Sequence, residues 1–162
     1  MTASRIAVEH VCVTTSKPFA DVVAAFERQL GRFNPEAARL AVASGDPQQA
    51  RAKIDAMAGP SGFMVFATMD HGSLLALVGR PRQAVQYVVG NPVLAVQMTQ
   101  HDLRAGLYAP LRVLLYENEA GQTCLEYDKP STLFGQFGNE GITPTATLLD
   151  RKLEAIAAQA LA

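Results

Sequence analysis

Few residues of this chain could do chemistry at neutral pH: three histidines, two cysteines and a handful of acids placed beside them. Asp70-His71-Gly72 stands where an apolar run ends. A turn there can present an imidazole oriented by a neighbouring carboxylate, which is what a general base needs. His101-Asp102 repeats the pair. Imidazole and carboxylate are ordinary metal ligands, yet the pairs lie about thirty residues apart without a close His-His spacing. The sequence therefore predicts no metal and no other cofactor. His101, near the end of a predicted helix, suits the negative end of the helix dipole. His10 and Cys12 alternate onto one strand face with Ile6 and Val8, the setting of a satisfied core histidine. Cys124 has no base or cationic cluster beside it, so a thiolate nucleophile is unsupported. A disulfide between Cys12 and Cys124 stays open, but their spacing matches no metal site.

Two further groups point to binding rather than catalysis. Asn91-Pro92 caps and opens a helix whose first amides, on Val93, Leu94 and Ala95, are expected to lack intrahelical partners. With Gly90 allowing close approach, these donors could hold an anion; alternatively Asn91 simply caps. Arg112, Leu114 and Tyr116 alternate onto one strand face, opposite Leu111, Val113 and Leu115. Tyr87, Tyr108 and Tyr127 lie in or beside adjoining strands, so Arg112 is expected in a polar-aromatic patch. Such a patch fits a carboxylate-bearing small molecule or a second subunit. The plainer alternative is a half-exposed sheet face with cross-strand aromatic pairs. A dimer contact explains the pattern best.

The elements that must position these residues follow from periodicity and punctuation. Arg5 to Thr15 reads as a strand, and Phe19, Val22, Val23, Phe26 and Leu30 repeat at helical spacing up to Gly31. Asn34-Pro35 could start a short helix. Asp46-Pro47 opens a firmer one that carries Ala50, Ile54 and Met57 inward, with Arg51 and Asp55 as an i,i+4 pair. Phe63 to Met69 is a buried strand, HGSLLALVG a hairpin strand or short helix, and Ala84 to Val89 another strand. Leu111 to Glu117 and Thr123 to Asp128 form a hairpin. Lys129 to Gly141 reads as loop, and Thr143-Pro144 opens the last helix, with Leu149, Leu153, Ile156 and Ala160 as its stripe.

The bulk numbers set other functions aside. The 162 residues suit one domain, and 49% hydrophobic against 18% charged residues argues against disorder. Fourteen basic and fifteen acidic residues leave a net charge of -1, with no basic cluster. Neither nucleic acid nor an anionic membrane is expected as a partner. The segment MTASRIAVEH lacks the apolar stretch of a signal peptide, and no apolar run is long enough to span a bilayer. A soluble cytoplasmic protein is the expectation. No Ser-His-Asp series, phosphate loop, dinucleotide fingerprint or Cys-x-x-Cys occurs.

One stretch resembles a known family. In GNPVLAVQMTQHDLRAGLYAPLRVLLYE, a strand ends in Gly90-Asn91-Pro92, and a helix containing Ala95 ends at Met98. A Gly106-Leu107 turn follows, and Pro110 opens a strand ending in Tyr116-Glu117. Glu126-Tyr127-Asp128-Lys129-Pro130 and the segment from Gly62-Phe63 to Asp70 continue the series. Together they resemble the bacterial domain-of-unknown-function 302 family. The resemblance implies an α+β two-layer sandwich: a mostly antiparallel sheet with helices on one face, similar to half of a TATA-binding-protein saddle. It also implies a tendency to dimerise and a short helix at HGSLLALVG. It supplies no reaction, and DNA binding does not follow from fold. The sequence thus predicts a homodimeric small-molecule-binding module with Asp70, His71, Gly90, Asn91, Tyr108 and Arg112 at its ligand site. Its alternatives are a small enzyme with His71 as base and Asp70 orienting it, or a ligand-free adaptor dimer.

Overall fold

The structure is a computed structural model and describes residues 3–162. Strand β1 (His10–Thr15) leads to helix α1 (Phe19–Glu27), β2 (Leu30–Arg32) and the helices α2 (Pro35–Ala43) and α3 (Pro47–Asp55). Then come β3 (Phe63–Asp70), α4 (His71–Leu74), β4 (Ala84–Gly90) and α5 (Pro92–Thr99). The hairpin β5 (Leu111–Glu117) and β6 (Thr123–Asp128) precedes α6 (Pro130–Gly135) and α7 (Thr143–Leu161). The strands form one six-stranded open sheet in the order β1-β6-β5-β4-β3-β2. Every neighbouring pair is antiparallel except β2 with β3. The α+β expectation holds. Among the described residues no helix is long and apolar enough to cross a membrane.

Strand alternation sorts the side chains into two layers. Tyr87, Val89, Leu111, Val113, Leu115, Leu125 and Tyr127 join the main core beneath α1 and α7, with Val22, Phe26, Leu149, Leu153 and Ile156 opposite them. Phe63 enters this core, whereas Met64 enters a second, smaller cluster with Ala38 of α2 and Ile54 of α3. The helices are therefore not all on one face. The α2–α3 pair covers the other face at its β2–β3 end and leaves the rest of that face open. A fully buried apolar side chain contributes about 1.5–3 kcal/mol, so the main core dominates stability.

Four local differences from the sequence reading have physical causes. The first strand begins only at His10, whose partner Asp128 is the last residue of β6. Ile6 and Val8 have no ladder to join and are exposed. Gly31 does not stop a helix. It lies in β2, where a Cβ would collide with the Met57 carbonyl and the Gly59 backbone. The expected loop after Lys129 contains α6, because Pro130 occupies its first turn, Phe134 is buried and the Asp150 carboxylate accepts the Ser131 amide (2.8 Å). Asp55 takes Asn91 as its partner (2.9 Å) and forms no ion pair with Arg51.

Candidate functional site

The start of α5 is built around Asn91, which is buried. Its Oδ1 accepts the Val93 amide (2.8 Å), the capping bond expected of an asparagine there. Its Nδ2 donates to Asp55 Oδ1 (2.9 Å) and to the Gly62 carbonyl (3.1 Å). One side chain thus ties together α5, α3 and the approach to β3. Two of the three amides of the expected anion cradle are taken. Val93 is held by the cap, and the Ala95 amide donates to the Asn91 carbonyl (2.9 Å).

Behind this cap lies a cavity of about 300 Å³. Gly90 and Asn91 line it with Phe33, Phe66, Met98 and Pro110, and most of its wall is apolar. The Phe33 and Phe66 rings pack at 4.6 Å between centroids. A Cβ at Gly90 would meet Pro110 and Phe66 at 3.7–3.8 Å, ordinary contact distance. Glycine is therefore not forced by strain here; its missing side chain enlarges the cavity. A second cavity of about 440 Å³ adjoins the first, and Tyr108, Arg112 and Asp128 line it with Val88 and Leu133.

Four of the six expected ligand residues therefore line these two neighbouring cavities. Asp70 and His71 do not. In the β3–β4 register Met64 faces Gly90 while Asp70 faces Val85, which puts the Asp70 turn at the far end of the strands. Val85 and Gly90 are five positions apart on β4, about 16 Å at the usual rise per residue. Asp70 caps α4 through the Ser73 amide (2.8 Å) and accepts the Ser73 hydroxyl, bonds that hold its carboxyl below the usual range. Among the described residues it makes no hydrogen bond to His71, so the expected Asp70–His71 dyad is not formed. His101-Asp102 does not meet it either. Asp102 caps the turn Leu103–Leu107 and pairs with Arg104 (2.6 Å), while the His101 ring packs against Gly141. Among the described residues, no group of three or more His, Cys, Asp or Glu is arranged to hold a metal.

The open sheet face carries a polar cluster that the sequence did not reveal. His10 is not in the core; its side chain is 55% exposed. Its Nδ1 faces Asp128 Oδ1 (2.9 Å) and its Nε2 faces Glu126 Oε2 (3.1 Å). With an ionised carboxylate at each ring nitrogen the doubly protonated form is favoured, and the pKa rises above 6.5. The Tyr116 hydroxyl donates to Glu126 (2.6 Å), which holds the Glu126 carboxyl down and pushes the tyrosine up. Burial, then Glu126, pushes the Cys12 thiol up to about 11. It is no ready nucleophile. Both cysteines are free thiols. The only sequence signal for this cluster was alternation in two strands that nothing local pairs.

The tyrosine patch is correspondingly smaller. Arg112, Leu114 and Tyr116 do share the open face, as expected. Tyr87 and Tyr127 belong to the main core on the opposite face, where Tyr87 donates to Glu27 (2.8 Å). Tyr108 packs edge-on to Phe134 at 6.4 Å beside the second cavity.

Comparison with known proteins adds a family and a fold. The family model described as "Domain of unknown function DUF302" matches residues 39–160. The chain is similar to a solved structure titled "Crystal structure of uncharacterized conserved protein DUF302 from Bacillus stearothermophilus", at 18% identity and a TM-score of 0.65. That similarity covers 93% of this chain and 97% of the other. At such identity it speaks for the fold alone. No curated protein matches the chain in sequence.

Proposed function

The chain belongs to the DUF302 family, whose description assigns no reaction, and for this member we propose a cytoplasmic, homodimeric module that binds a small, mainly apolar molecule. The observation that carries this is the cavity of about 300 Å³ beneath Gly90 and Pro110. Asn91 and Thr99 are its polar side chains, and the Asn91 amide is already bonded to Val93, Asp55 and Gly62. A ligand there gains from removing apolar surface from water. At about 25 cal/mol per Å², burying roughly 250 Å² of ligand contributes about 6 kcal/mol, which before the cost of association corresponds to an affinity of tens of micromolar. Gly90, Asn91, Pro92, Met98 and Pro110, which carry the family resemblance, all line the cavity. Two free thiols suit a reducing compartment.

The test is titration of the purified chain with N-phenyl-1-naphthylamine, an uncharged apolar fluorophore, in parallel with its Gly90→Ala variant. The added methyl occupies cavity space without a clash, so binding should weaken about tenfold. The fold should be unaffected, because alanine suits an extended strand at least as well as glycine. Equal affinity in the two proteins would sink the assignment of the cavity.

A further inference from the structure

The apolar cavity does not end at Pro110. Ala109, Pro110 and Leu111 also wall the second cavity, so the two adjoin across one ridge. Gly90 lines the first and Val88 the second, two residues apart on one face of β4 and so roughly 7 Å from each other. Opposite Val88 in the β4–β5 register stands Arg112. Among the described residues its guanidinium makes no ion pair. The acid in the same cavity, Asp128, already faces the His10 ring at 2.9 Å. Tyr108 adds a hydroxyl whose bond to Gln136 is long, at 3.4 Å. An apolar cavity thus opens beside an uncommitted cation.

We propose that the ligand is a medium-chain carboxylate, its hydrocarbon tail in the cavity beneath Gly90 and its carboxylate on Arg112 across the Pro110 ridge. This names the ligand class of the site proposed above and rests on that reading. The planar guanidinium fork matches a carboxylate with two parallel hydrogen bonds, which an alcohol head group cannot reproduce. Tail burial supplies most of the affinity. The exposed Arg112 supplies the choice among head groups, since an exposed ion pair alone is weak. Asp128 opposes a second carboxylate, but its Oδ1 is already engaged by the facing His10 ring at 2.9 Å.

Competition against bound N-phenyl-1-naphthylamine by decanoate and by decanol tests the proposal in the wild-type chain and in Arg112→Gln. Decanoate should compete up to about fivefold better than decanol in the wild type. In Arg112→Gln decanoate should fall to the level of decanol, with decanol unchanged. If decanol competes as well as decanoate and Arg112→Gln alters neither, the head-group assignment is overturned while the cavity stands. If neither compound displaces the probe, the ligand class is overturned, while the Gly90→Ala titration alone decides the cavity reading.

Discussion

His10 meets two carboxylates, Asp128 and Glu126, that stand 118 and 116 residues away in the chain. Its surroundings make a pH dependence that can be given a sign. The folded pKa is raised above 6.5 by the bonds to Asp128 and then Glu126. The stabilisation is therefore fully present below about pH 6.5 and is lost as pH rises through the folded value. Glu126 acts the other way. Its folded pKa is lowered from 4.5, first by the Tyr116 hydroxyl, so its contribution is present above 4.5 and is lost as pH falls through the lowered value. Urea denaturation of the wild type across pH 6 to 9 should show a loss of stability that His10→Gln abolishes. An NMR titration placing His10 at or below 6.5 would contradict the arrangement. At this scale the sequence was least legible. It placed His10 in the core because Ile6 and Val8 share its parity, and it could not see that β1 starts too late to bury them.

The element most dependent on a single residue is α5. Asn91 was legible as a cap, since an asparagine before proline and an apolar run has few other uses. Its second task was not legible, because Asp55 and Gly62 come from other elements. Asn91→Ala removes the cap, worth about 1 kcal/mol, and leaves the Gly62 carbonyl and Asp55 without their donor, a further 1–2 kcal/mol. A total loss of about 2–3 kcal/mol is expected in chemical denaturation. Asp55→Ala should cost less, and the double variant should cost less than the sum, because both changes break the same bond. Strict additivity would show that the Asn91–Asp55 contact contributes nothing. Gly31 is the contrasting element-scale case. It looked like a helix stop, yet the space it needs is set by Met57 and Gly59 across the fold.

At the scale of the whole molecule the sheet has one filled face and one largely open one. The open face carries Val88, Leu114 and Tyr116, all half-buried, beside the His10 cluster. A net charge of -1 gives two copies little long-range repulsion. The proposed homodimer is expected to use this face at Leu114 and Tyr116, as the alternation of Arg112, Leu114 and Tyr116 already suggested, with Arg112 at its rim left to the ligand. Sedimentation equilibrium should report a dimer for the wild type and a monomer for Leu114→Arg, with circular dichroism unchanged. A monomeric wild type, or a dimer indifferent to the arginine, would remove the open face from the proposal.

What the sequence determined by itself is what neighbouring residues decide: the caps at Asn34, Asp46 and Asn91, the strands β3 to β6 with the alternation of β5, and the apolar stripe of α7. Those features depend on side-chain and backbone chemistry within a few residues, so pattern alone carries them to an α+β fold with a sheet face presenting Arg112. What only the tertiary structure decided is which of these residues share a place. Strand register sends Asp70-His71 to the far end of the sheet from Gly90-Asn91, and it brings Gly90, Pro110 and Arg112 to one end. Register is set by pairing and burial across the whole sheet. A site assembled from strand ends therefore stays hidden until the strands are laid side by side.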